Sequence, residues 1–183
     1  MDYSTLKQQI VDDIKVDAKT SSKAMKVMLD NGSATYQTAA EYSKVFGDSV
    51  SRSITKNIAD GVPDDELSQF ANEVLAPVYR QSQDTMLNAC KGVQRLYNKQ
   101  AEIELNPVDV ERDESRIQHI IDRFNEAESF DTVKFLTNAN VARSITRGAV
   151  QDSIKRNSKF HEDSGLNIRI SRSDGSGCCD WCA

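Results

Sequence analysis

Apolar residues recur at steps of three and four through most of this chain, the spacing of one face of a helix. Leu6, Ile10 and Ile14 make a single stripe and predict a short helix from Tyr3 to about Ala18. A second helical segment is expected to start near Thr20 or Ser21, either of which suits an N-cap. It carries Met25, Met28, Leu29 and Tyr36, then Tyr42, Val45, Phe46, Val50, Ile54 and Ile58, all read as inward-facing. Asp30-Asn31-Gly32-Ser33 is its turn or break.

Gly61-Val62-Pro63 closes that segment. Pro63, followed by Asp64, Asp65 and Glu66, suits the first turn of a third helix. There the missing N–H costs nothing, and the acids face the positive end of the helix dipole. The helical steps then continue from Leu67 through Phe70, Val74, Val78, Met86, Cys90 and Val93 to Tyr97. At 1.5 Å per residue that rod is about 45 Å long. The second and third segments are read as an antiparallel pair of long helices joined at Gly61.

Asn106 is expected to cap the next helix with Pro107 at its first position, and Ile117, Ile120, Ile121 and Phe124 form its buried stripe. One more helix follows Ser129-Phe130-Asp131 and turns Val133, Leu136, Val141, Ile145, Ala149 and Ile154 inward, with a kink or split at Asn138-Ala139-Asn140. After Ser158 the pattern changes. Leu166-Asn167-Ile168-Arg169-Ile170 alternates like a strand, and Ser173-Asp174-Gly175-Ser176-Gly177 reads as a turn. The expected class is mainly α: long antiparallel helices in an elongated bundle, with a short β-hairpin-like segment at the C-terminus. Three stretches are distinguished: a long-helix body over 1–105, shorter helices over 106–160, and a strand with a Cys-x-x-Cys turn over 161–183.

Charge and composition narrow the function. The net charge of −5 divides unevenly: residues 141–183 carry seven Lys/Arg against five Asp/Glu, and the acidic excess lies before them. An acidic body with a mildly basic end argues against a dedicated DNA-binding domain. Arg143 and Arg147 share a helix face, and with Lys155 and Arg156 they are the candidate phosphate contacts; a solvated basic face is the plainer reading. Any such DNA contact would be independent of sequence and weakened by salt. No stretch of 18 apolar residues exists, so no membrane span is expected. The start, Met1-Asp2-Tyr3-Ser4, lacks a signal-peptide pattern, which points to synthesis in a cytoplasm without structural disulfides. Walker-type glycine loops, His-Glu-x-x-His and Gly-x-Ser-x-Gly are absent, and no enzymatic role is expected.

One constellation carries chemistry. Cys179-Asp180-Trp181-Cys182 sets two thiols in one tight turn, half of a tetrahedral zinc site. Three readings stand side by side: a metal knuckle, a redox pair, and small semi-buried residues near the chain end. His161, flanked by Glu162 and Asp163, is the nearest histidine and is expected to be solvated. His119 is expected on a helix surface.

The helical stretch with Arg143, Arg147 and Lys155-Arg156, a short strand, and then Arg172-Ser173-Asp174-Gly175-Ser176-Gly177-Cys178-Cys179-Asp180-Trp181-Cys182 resembles the head-morphogenesis, MuF-like minor head proteins of tailed bacteriophages. In that family the cysteine step continues into a Leu-Ala-Gly-like segment and a His-x-x-Cys-x-Cys-like element. That second half does not follow here, so the chain is read as truncated within the motif or as proteolytically processed. Zinc is then expected only in a complete protein that supplies the missing ligands to Cys179 and Cys182. The resemblance implies a structural protein of the capsid interior, made in the bacterial host cytoplasm. It implies attachment to the portal or major capsid protein; the basic carboxy-terminal part is then expected to face packaged DNA in non-specific contact, and copies are expected to self-associate. Two other readings stand beside it: the front part of a phage-associated toxin or enzyme whose catalytic domain is missing, and a cytoplasmic helical interaction module.

Overall fold

The structure, a computed structural model, describes residues 2–167. The described residues are mainly helical, and they contain no strand. The expected strand and hairpin-like segment fall at Leu166–Ile170 and beyond, almost wholly outside the described residues, as do Cys178, Cys179, Trp181 and Cys182.

Helix α1 spans Tyr3–Asp17, and the Asp2 side chain caps it by accepting from the Ser4 and Thr5 amides. Its Leu6, Ile10 and Ile14 stripe is buried as expected. Helix α2 covers Lys19–Asp30 and stops at Asn31, where Gly32 takes φ +80°, a left-handed turn that glycine adopts without strain. Helix α3, Tyr36–Asn57, begins at a reciprocal cap between Thr35 and Thr38. It runs antiparallel to α1, with Asp17 facing Arg52 and Asp13 facing Lys56. Those pairs are exposed and contribute little. Val45, expected inward, is 47% exposed, because the stripe of α3 turns instead through Phe46, Val50 and Ile54.

The third segment begins with a 3₁₀ turn over Asp64–Glu66. It continues as α4 (Leu67–Phe70), a single π turn (Ala71–Leu75) and α5 (Ala76–Gln100). The π turn has a local cause. Pro77 lacks an N–H and its ring would crowd the carbonyl four residues back. Widening the preceding turn, so that the Ala76 amide reaches the Ala71 carbonyl, lets the rod continue past the proline.

Asn106 and Pro107 do not open a helix. Residues 103–113 have no regular structure, and α6 starts later, at Glu114–Asn125, capped by Asp113. Long-range hydrogen bonds hold the segment. Asn98 Nδ2 donates to the Leu105 carbonyl, the Val108 amide donates to Asn157 Oδ1, and Gln83 Oε1 accepts from the Asp113 amide. After α7 (Phe130–Val133) and a 3₁₀ turn (Lys134–Thr137), Asn138 caps α8, Ala139–Asp163. The expected split therefore falls at Asn138, while α8 runs five residues past Ser158.

Helix α8 packs against both α3 and α5. It is antiparallel to α3: Thr146 Oγ1 donates to the Ser43 carbonyl (2.8 Å), and Ser51 Oγ donates to the carbonyl of Thr137 in the 3₁₀ turn just before α8 (2.9 Å). It is parallel to α5: Tyr79 meets Leu136 in the turn that leads into α8, and Asn98 meets His161 near the other end. The antiparallel pairing of α3 and α5 holds too, since Tyr36 reaches Gln94. The more extensive partner of α3 is nonetheless α8. Gly47 sits at that crossing. A Cβ there would lie 2.9 Å from Arg143 Cα and 2.9 Å from Thr146 Oγ1, so only glycine lets the helices come this close.

One apolar core joins these helices. Phe70, Val74, Leu75, Tyr79, Met86, Cys90 and Ile145 are all fully buried in it. Burial of a side chain such as Phe70 stabilises the fold by roughly 1.5–3 kcal/mol.

Candidate anion-binding groove

Helix α8 presents Arg143 and Arg147 one turn apart, about 6 Å along its axis. Arg116 reaches over from α6 to join them, and together they line an open groove of about 600 Å³. Asn140, Ser144 and Gln151 complete its walls, with Gly148 at its floor. No apolar side chain lines it.

Each arginine is held differently. Arg143 pairs with Asp48 of α3, and that hydrogen bond raises its already high basicity. Arg116 pairs with Asp113 (3.3 Å) and donates from Nη1 to the Ser144 carbonyl (2.8 Å). Ser144 is one helical turn before Gly148, and glycine leaves its carbonyl uncovered. A Cβ on Gly148 would fall 1.8 Å from Arg116 Nη1, so this glycine is the seat of the guanidinium. Asp113 is held below the usual carboxylate range, first by the Ser115 hydroxyl and also by the Arg116 amide. Arg147 is exposed and has no ion-pair partner among the described residues. Three guanidiniums against Asp48 and Asp113 leave a net positive charge at the groove.

Of the four basic residues singled out from sequence, the structure joins Arg143 and Arg147. Lys155 and Arg156 are exposed further along α8 and do not line the groove. Arg116 was missed, because it belongs to a helix distant in sequence. One signal did exist: a glycine inside a helix costs about 1 kcal/mol relative to alanine, so Gly148 marks a close approach.

The histidines divide. His119 is exposed, as expected. His161 is not solvated: it is 1% exposed, because the end of α8 packs on the end of α5. Its Nδ1 lies 2.7 Å from the Asn157 carbonyl and its Nε2 3.0 Å from Asn98 Oδ1. Asn98 Oδ1 also accepts from Gln94, and Gln94 accepts from the Tyr36 hydroxyl (2.8 Å). This buried ladder ties α3, α5, α8 and the 103–113 segment together, and both ring nitrogens of His161 are engaged in it. Among the described residues no group of three or more His, Cys, Asp or Glu side chains is placed to hold a metal ion. Cys179 and Cys182 lie outside those residues. No helix among the described residues is long and apolar enough to cross a membrane.

No protein-family model, no curated protein and no solved structure matches this chain.

Proposed function

We propose that this chain is a structural minor head protein of a tailed bacteriophage, bound inside the capsid near the portal and aiding head assembly or DNA packaging and delivery. The observation that carries the reading is the Cys179-Asp180-Trp181-Cys182 motif, which follows a short polar stretch in the sequence and a long helical body. The role is physical. Amphipathic helices dock on a portal or capsid wall and bury apolar side chains there. Val16, Val27, Val45, Phe135 and Phe160, exposed in the isolated chain, are available for such contacts. Zinc enters this reading only where a longer product supplies the remaining ligands to Cys179 and Cys182.

Deleting the coding region from the phage genome that carries it tests the role. The expected result is heads with altered assembly or poor DNA delivery. A mutant phage with normal particles and normal infectivity contradicts it.

A further inference from the structure

We infer that the groove between α6 and α8 binds the phosphodiester backbone of a nucleic acid, through Arg147, which has no ion-pair partner among the described residues, and Arg116, whose guanidinium is seated on Gly148. This inference does not depend on the head-protein reading.

Three features point to phosphate. The first is Arg147, which has no ion-pair partner among the described residues and whose planar donors suit a phosphate oxygen pair. The second is pre-organisation. Arg116 is fixed by the Ser144 carbonyl and by Asp113, and these contacts engage only part of its donor set. Fixing it before a ligand arrives lowers the ordering cost of binding. The third is the lining. Protein–protein interfaces place aromatic and aliphatic groups at their centre, and this groove offers only guanidiniums, amides, a hydroxyl and a glycine. Backbone contacts of this kind position a nucleic acid without reading its bases.

The same geometry limits the strength. Asp48 and Asp113 offset two of the three charges, so the groove neutralises about one phosphate. Binding should be sequence-independent, weak, and reduced further by salt. Lys155 and Arg156, outside the groove, should add little.

Fluorescence anisotropy with a labelled mixed-sequence single strand and its duplex, titrated with the full chain across a range of salt, tests this. Circular dichroism of every variant checks folding. Arg147→Ala is expected to weaken binding roughly 5- to 10-fold near 0.1 M salt and to lower the log–log salt slope by about one. Gly148→Ala favours the helix yet displaces the Arg116 guanidinium, so it should weaken binding while leaving the fold at least as stable. Arg156→Ala should change neither affinity nor slope. Equal losses from Arg147→Ala and Arg156→Ala would mean diffuse charge attraction and overturn the site. So would an absence of binding at low salt. Competition by a polyglutamate peptide as effective as DNA of equal charge would assign the groove to an acidic protein and overturn it as well.

Discussion

Replacing Gly47 by alanine tests the central packing of the fold. In an isolated helix the change would be favourable by about 0.8–1 kcal/mol, because glycine is the poorer helix former. Here the new methyl would lie 2.9 Å from Arg143 Cα and 3.0 Å from Arg143 N, both backbone atoms that cannot rotate away. Ordinary carbon contacts sit at about 3.5–4.0 Å, so α3 and α8 must separate by roughly half an ångström or more. Overpacking of this kind costs about 1–3 kcal/mol. The separation also stretches the Thr146–Ser43 and Ser51–Thr137 hydrogen bonds that bracket the crossing, each worth about 0.5–1.5 kcal/mol. The net expectation is destabilisation by about 1–2 kcal/mol, or a Tm lower by roughly 2–8 °C for a chain of this size. Gly92→Ala is the internal control. The three atoms nearest its Cβ would all belong to the Leu29 side chain, at 3.1, 3.3 and 3.8 Å, and the tip of that partly buried leucine can move aside. That variant should match or exceed the parent in stability. Urea and thermal unfolding followed by circular dichroism measure both. If Gly47→Ala is as stable as Gly92→Ala, the close crossing of α3 and α8 is refuted.

Two other perturbations probe different parts of the molecule. Asp113 caps α6 and is held below the usual carboxylate range, chiefly by Ser115, so its stabilisation is present above the unfolded carboxylate range near 3.9 and is lost as pH falls through the folded value. Asp113→Ala should therefore lose about 1 kcal/mol at pH 7 and converge with the parent only once pH falls below the folded value; an equal deficit at both pH values would contradict the capping role. Burial pushes the Cys90 thiol up to about 11, so it stays protonated at pH 8. In a variant with Cys178, Cys179 and Cys182 changed to serine, a thiol reagent at pH 8 should label Cys90 only as the fold opens; labelling in native buffer at the rate of a free thiol would contradict its burial.

The apolar stripes were readable from sequence because their cause is local. Leu6, Ile10 and Ile14, and likewise Ile117, Ile120, Ile121 and Phe124, recur at helical steps and are buried. The breaks at Gly32 and Asn138 were readable because turn and cap chemistry is written in single residues. Features with distant causes were not. Residues 103–113 stay non-helical because Asn98, Asn157 and Gln83 claim their backbone groups, which overrides an Asn106-Pro107 start signal that is good by local rules. His161 looked solvated beside two acids, and the side of α8 that it occupies is the side packed on Asn98. The main helix pairing hid for a different reason. Ser43, Gly47 and Ser51 recur four apart and are all buried, yet small polar residues do not register as an apolar face. For the groove, Arg143 and Arg147 were visible as a stripe, but Arg116 became a neighbour only through the fold, with Gly148 as its one trace in sequence.

The head-protein reading is tested most directly on particles. DNA-filled heads, purified from the phage whose genome carries this chain, can be cross-linked and digested for quantitative mass spectrometry. Peptides from residues 2–167 should be recovered in far fewer copies than the major capsid protein and cross-linked to the portal subunit. Their absence from purified heads, or recovery only at the level of host contaminants, would contradict a place in the capsid interior.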